Sequence, residues 1–321
     1  MSVPLEPMTQ SRIVARACAC LLSLMAWQIS AQADESNAES YWLEFRDGYG
    51  GWLEIDKSLK HGRLLWRVGS PRKVRVEQSS DGSFELIDQR RKAPSNYVAI
   101  IKGTAITVTK QLASDADAIQ DEHQATGERC PGLPPKPDLR RIRFGDAIDL
   151  LGTDDLSAWR LHPPDAKNGW RIQNGELINT TPKTDFGAYG DHANLATVGL
   201  YDDFQLHIEF NVESNRNSGI YLRGLYEVQV VDRDSPMQGI NGPGAVFGRL
   251  EPSKNAGLPG GQWQSYDLTL VDRHITVVLN GEKVIDNQPV PGCTGGALLG
   301  NVSRPGPIYL QGDHTSVRYR N

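Results

Sequence analysis

Short runs in which apolar and polar side chains alternate recur along nearly the whole chain, and Gly, Pro, Asn-Gly and Asp-Gly break them before any reaches helical length. A period of two turns one face of each run to a core and the other to solvent or a partner. Helix-period apolar stretches are scarce. The chain is therefore expected to be all-β, in the pattern of antiparallel sandwiches and barrels. Its 321 residues, 39% hydrophobic and 23% charged, suffice for one large or two smaller globular domains.

The N-terminus departs from this pattern. Arg12 and Arg16 precede an apolar run from Ala17 to Ile29, and Ala31-Gln32-Ala33 offers the small residues of a cleavage position. Residues 1–33 are expected to be a bacterial-type signal peptide, cleaved near Ala33, that exports the chain to the periplasm or the medium. The run is short for a membrane span, and no other segment is apolar enough to be one. Without Arg12, Arg16 and Glu6, the 34 basic and 39 acidic side chains fall to 32 and 38, a net charge of −6 that argues against a nucleic-acid partner. Cys130 and Cys293 would remain in a compartment that permits disulfides, and are expected either to pair or to stay separate thiols. No Cys-x-x-Cys or His pair stands at zinc-ligand spacing.

Three segments follow. Residues 41–110 hold strand-like runs such as Gly51-Trp52-Leu53-Glu54-Ile55 and Phe84-Glu85-Leu86-Ile87, separated by turns such as Asp81-Gly82, and are expected to form a small β-meander or barrel. Residues 111–139, acidic and Ala-rich and then Pro-rich, read as a linker. From 140 to 321 about a dozen short strands need two stacked sheets to bury their apolar faces. Asn280-Gly281 marks a hairpin, and the Gly- and Pro-rich stretch from Ser235 to Gly261 is too long for a plain connection, which suggests a groove wall.

Four stretches carry a specific resemblance: Asp203 to Phe210, Asn217 to Asp232, Gln262 to Asp267, and Gly306 to His314. In this order they resemble the signatures of the 3-keto-disaccharide hydrolase family, whose domain is a concanavalin A-like jelly roll, over about residues 141–321. Residues 41–110 resemble, more weakly, a small β domain that often precedes it. Thr315 and Ser316 depart from the family pattern, and little length follows His314 for the usual closing strand. The resemblance implies a substrate that is an oxidised (3-keto) glycoside or oligosaccharide. A ketone at sugar C3 acidifies the C2 proton, and the enolate formed by its loss can expel the group at C1. The protein would supply a base, a donor or cation for the enolate oxygen and a donor for the leaving oxygen.

Strand alternation then selects side chains. Glu227 and Gln229 share one strand face, and Tyr221 and Arg223 share another. Glu227 is expected as base or metal ligand, and Arg223 as a clamp on an enolate or hydroxyl. His314, beside Asp313, is the other proton carrier. Gln229, Gln311, Tyr221 and Asp313 are expected to bind substrate. A divalent cation such as calcium is common in jelly-roll sugar sites, but no acidic run with calcium-loop spacing occurs, so no metal or cofactor is expected. A non-catalytic carbohydrate-binding module is the alternative, and a two-carboxylate hydrolase using Glu227 with Asp232 or Asp313 is a third reading.

Overall fold

The computed structural model describes residues 14–18, 38–90, 95–111, 123–152, 155–184 and 191–321. Most of the expected signal segment lies outside the described residues. Within it, Val14–Cys18 forms strand β1.

Eight strands close the N-terminal barrel: β2 (Ala38–Phe45), β3 (Gly50–Asp56), β4 (His61–Leu65), β5 (Arg72–Gln78), β6 (Phe84–Asp88), β7 (Asn96–Lys102), β8 (Ala105–Lys110) and β9 (Gln124–Arg129). Leu43, Leu53, Leu64, Val74, Leu86, Tyr97 and Val108 alternate inward and fill it. The barrel outgrows the expected 41–110, because β9 lies in the segment expected as a linker and pairs with both β8 and β2. The inward positions of β9 are Ala125 and Gly127. A Cβ on Gly127 would come within 1.8 Å of the Trp42 carbonyl oxygen. Only small residues fit against β2 there, and small inward residues erase the hydrophobic alternation that reveals a strand.

The rest is a two-sheet sandwich. Its strands are β10 (Phe144–Asp149), β11 (Trp159–His162), β12 (Trp170–Gln173), β13 (Glu176–Asn179), β14 (Asn194–Thr197), β15 (Phe204–Asn211), β16 (Asn217–Leu222), β17 (Tyr226–Val231), β18 (Trp263–Val271), β19 (His274–Leu279), β20 (Glu282–Pro289), β21 (Tyr309–Leu310) and β22 (Val317–Arg320). The larger sheet runs β12-β13-β22-β15-β18-β19-β20, with β1 joining β10 to β15. The smaller runs β11-β14-β21-β16-β17. Phe204, Leu206, Ile208 and Phe210 of β15 and Tyr266, Leu268 and Leu270 of β18 meet Ile220, Leu222, Tyr226, Val228 and Val230 of the smaller sheet in one core. Asn174-Gly175 and Asn280-Gly281 both take positive φ and make the two-residue hairpins their sequences predict. The expectation that too little chain follows His314 is corrected: β22 needs only four residues to pair with β13 and β15 and turn Val317 and Tyr319 inward.

All six residues of β17 are buried, so the smaller sheet is covered on its outer face as well. One cover is the Ser235–Gly261 loop. Its Ala245 carbonyl accepts from Gln229 N at 3.0 Å and its Phe247 N donates to the Glu227 carbonyl at 3.0 Å, which occupies the free edge of β17. The other cover is the barrel. Trp52 of β3 is fully buried in the sandwich core cluster, with the Arg249 guanidinium 4.1 Å from its ring centre. Cys130 and Cys293 are unlinked thiols, and burial pushes them up to about 11 and about 12.

Candidate active site

Between these covers lies a pocket open to solvent. Its floor is the outer face of the smaller sheet: Asn217 and Tyr221 from β16, Glu227 and Gln229 from β17, Tyr309 from β21 and, just beyond, Gln311. Asn194, Asp313 and His314 form one side, Met237 and Phe247 from the Ser235–Gly261 loop another, and Tyr49, Val68 and Gly69 of the barrel a third.

Glu227 is 4% exposed and lies across Gly219, where a Cβ would meet its Oε1 at 2.3 Å. Any side chain at 219 would push the carboxyl off the floor. Burial raises the Glu227 carboxyl to about 8, the Asp313 charge adds to this, and a hydrogen bond with Tyr221 opposes it. The carboxyl therefore holds its proton near neutral pH. Tyr221 OH donates to the Gly295 carbonyl at 2.9 Å, and the Tyr221 and Tyr309 rings pack edge to face at 4.9 Å.

Asp313 accepts at Oδ1 from His314 Nδ1. Asn194 holds the aspartate from below: its Oδ1 accepts from Gly312 N at 2.7 Å and Asp313 N at 3.0 Å, and its Nδ2 donates to Asp313 Oδ2 at 3.3 Å. A proton on His314 Nδ1 leaves Nε2 as the acceptor, and Asn217 Nδ2 stands 3.1 Å from it. This is an imidazole whose tautomer is fixed by a carboxylate, the arrangement a general base needs.

Six of the seven side chains expected from the sequence line the pocket: Glu227, His314, Gln229, Gln311, Tyr221 and Asp313. Arg223 does not, and its expected clamp role is corrected. It takes φ 58° in the β16–β17 turn, where its guanidinium donates to the Val302 and Arg304 carbonyls and pairs with Asp202 at 2.9 Å. Strict alternation ends at that turn, so sharing a face with Tyr221 no longer holds. Asp232 is also outside the pocket, accepting from Asp234 N at 2.9 Å and Asn215 N at 3.3 Å at the strand end. Asp191 pairs with Lys167 at 2.7 Å in solvent.

Sequence reasoning missed Asn217, Tyr309, Asn194 and the barrel residues. The first two were within reach, since alternation back from Tyr221 and Gln311 places them on the same faces. Asn194 and Tyr49 left no such signal, because tertiary packing alone brings them in. Among the described residues no cluster of three or more His, Cys, Asp or Glu is arranged to hold a metal, and no helix is long and apolar enough to cross a membrane.

A family profile described as the 3-keto-alpha-glucoside-1,2-lyase-like domain matches residues 146–321. No curated protein matches the chain. Among solved structures, two proteins of Parabacteroides distasonis ATCC 8503, both provisionally named glycosyl hydrolases, resemble it. One is 29% identical over 60% of this chain and 91% of its own, with a TM-score of 0.44. The other is 19% identical over 54% and 90%, with a TM-score of 0.43.

Proposed function

The chain belongs to the 3-keto-alpha-glucoside-1,2-lyase-like domain family, and we propose that it breaks the glycosidic bond of 3-keto-glycosides through loss of the C2 proton. The observation that carries the reading is the pairing, in one pocket, of a buried carboxyl that keeps its proton with an imidazole held by a carboxylate.

His314 Nε2 takes the C2 proton. The electron pair left behind delocalises into the C3 carbonyl as an enolate, then forms the C1=C2 bond as the C1–O bond breaks. Glu227 gives its proton to the departing oxygen, a role that burial suits better than the base expected from the sequence. Amide donors from Asn217, Gln229 and Gln311 can hold the enolate oxygen and ring hydroxyls. Water adding at C1, with a proton returned to C2, completes a net hydrolysis and gives Glu227 its proton back. Export to the periplasm or medium is part of this proposal and rests on the N-terminal sequence.

The two-carboxylate reading finds less support. Asp313 is engaged by His314 and Asn194, and Asp232 lies elsewhere. Incubation of purified protein with a 3-keto-disaccharide and with its unoxidised parent tests the proposal. Release of sugar from the keto form alone is expected. Equal cleavage of the parent would overturn it, and binding of either without release would leave a carbohydrate-binding module.

A further inference from the structure

One row of side chains crosses the outer face of the smaller sheet and ends on the Ser235–Gly261 loop. Tyr309 of β21 is the register partner of Tyr221 of β16, and Tyr221 is the partner of Glu227 of β17. Beyond β17, Val246 forms an antiparallel bridge with Val228, and Phe247 N donates to the Glu227 carbonyl at 3.0 Å. This register sets Phe247 opposite Glu227, and opposed residues of antiparallel strands share a sheet face with their Cβ atoms about 5 Å apart. In the row, Glu227 therefore stands between Tyr221 and Phe247.

Phe247 is half-buried and lines the pocket, as does Met237 of the same loop. Among the described residues, neither side chain joins a hydrophobic core cluster, and the Phe247 ring has no aromatic or cationic partner. Their backbone is nonetheless fixed. Met237 N donates to Ser235 Oγ at 3.2 Å, Gly248 N donates to the Ile240 carbonyl at 3.0 Å, and the Arg249 guanidinium donates to the Cys293 carbonyl at 2.9 Å. A rigid loop thus turns two large apolar side chains to the pocket and packs them in no core.

Strand order gives this wall its direction. Asp313 and His314 follow β21, and His314 reaches β16 at Asn217. Glu227 is one strand further, on β17, and Phe247 lies outside β17 on the far side. In the proposed chemistry C2 meets His314 and the glycosidic oxygen meets Glu227, so the atoms beyond that oxygen continue toward Phe247 and Met237. We infer that Phe247 and Met237 form the subsite for the leaving portion of the substrate, a second sugar ring, and set the preference for it over small glycosides. The ligand class follows from the wall, since a sugar ring presents an apolar C–H face to an aromatic one.

The inference rests on the proposed chemistry, and the test separates the two. The kcat/KM ratio between a 3-keto-disaccharide and the matching 3-keto methyl glycoside is measured for wild type, Phe247→Tyr and Phe247→Ala. Dissociation constants of the unoxidised disaccharide and methyl glycoside are measured beside it by calorimetry. The ratio should fall about tenfold in Phe247→Ala, through a raised KM for the disaccharide, and stay near wild type in Phe247→Tyr, which keeps the ring. Phe247→Leu keeps apolar bulk without the flat ring, so it should lower the ratio severalfold and gives the answer if Phe247→Ala does not fold. An unchanged ratio, or equal losses on both substrates, would overturn the subsite. If wild type cleaves neither keto substrate, the chemical proposal fails and the dissociation constants decide the subsite. A loss in Phe247→Ala confined to the disaccharide would uphold it, and equal losses or no binding of either sugar would overturn it.

Discussion

Tyr221 and Glu227 are register partners across β16 and β17, and the Tyr221 hydroxyl lies between the Gly295 carbonyl, 2.9 Å away, and the Glu227 carboxyl. A hydrogen bond from the tyrosine favours the carboxylate, whereas burial favours the neutral acid. Burial is the larger effect and leaves Glu227 raised to about 8.

A carboxyl raised to about 8 in the folded chain, against an ordinary value of 4.5, binds more protons folded than unfolded between those limits. Its contribution to stability is full below about pH 4.5 and is lost as pH rises toward 8, by up to about 5 kcal/mol. Denaturant unfolding across this range should show wild type losing stability relative to Glu227→Gln as pH rises. A constant difference between the two would contradict a neutral Glu227. The rate, which needs the proton, should fall above about pH 8 in wild type.

His314→Gln should lower kcat on a 3-keto-disaccharide by about 10²–10⁴, the usual range for losing a general base. Asp313→Asn replaces the carboxylate that fixes Nδ1–H by a neutral amide with an N–H donor on one side, and should cost a large part of the same factor while KM changes little. Steady-state kinetics of both variants check this, and a wild-type kcat in His314→Gln would exclude the imidazole as base.

Arg223→Met should act on stability. It removes charge-assisted hydrogen bonds to two carbonyls and leaves them without donors, a loss of roughly 2–4 kcal/mol. In the folded variant KM should stay within about twofold of wild type, because Arg223 lies outside the pocket. A large rise in KM at full stability would restore the clamp role.

Trp52→Ala should destabilise by about 3–5 kcal/mol. Its ring lies in the sandwich core cluster although its strand belongs to the barrel, so thermal unfolding should also become less cooperative between the two units. Calorimetry showing one unshifted transition would mean that the docking seen at Trp52 carries little energy.

Fold class was legible because long strands bury one face: β15 and β18 show alternation over eight and nine residues, and two Asn-Gly pairs fixed their hairpins. β9 was hidden by its Ala and Gly inward positions, and β22 by its length. In the site, alternation found Glu227 with Gln229 and failed for Arg223 at the point where φ turns positive. Tyr49 and Asn194 reach the pocket across more than a hundred residues of chain from Glu227 and from Asp313 respectively, and local pattern carries no information about that approach.

Loss of the C2 proton leaves an isotopic record when a 3-keto-disaccharide is cleaved in deuterated water, with an enzyme-free control for spontaneous exchange. The sugar released from the reacting ring should carry solvent deuterium at C2, or lack a hydrogen there if elimination stops at the unsaturated product, in step with bond cleavage. Cleavage that keeps the original C2 hydrogen would rule out proton abstraction at C2.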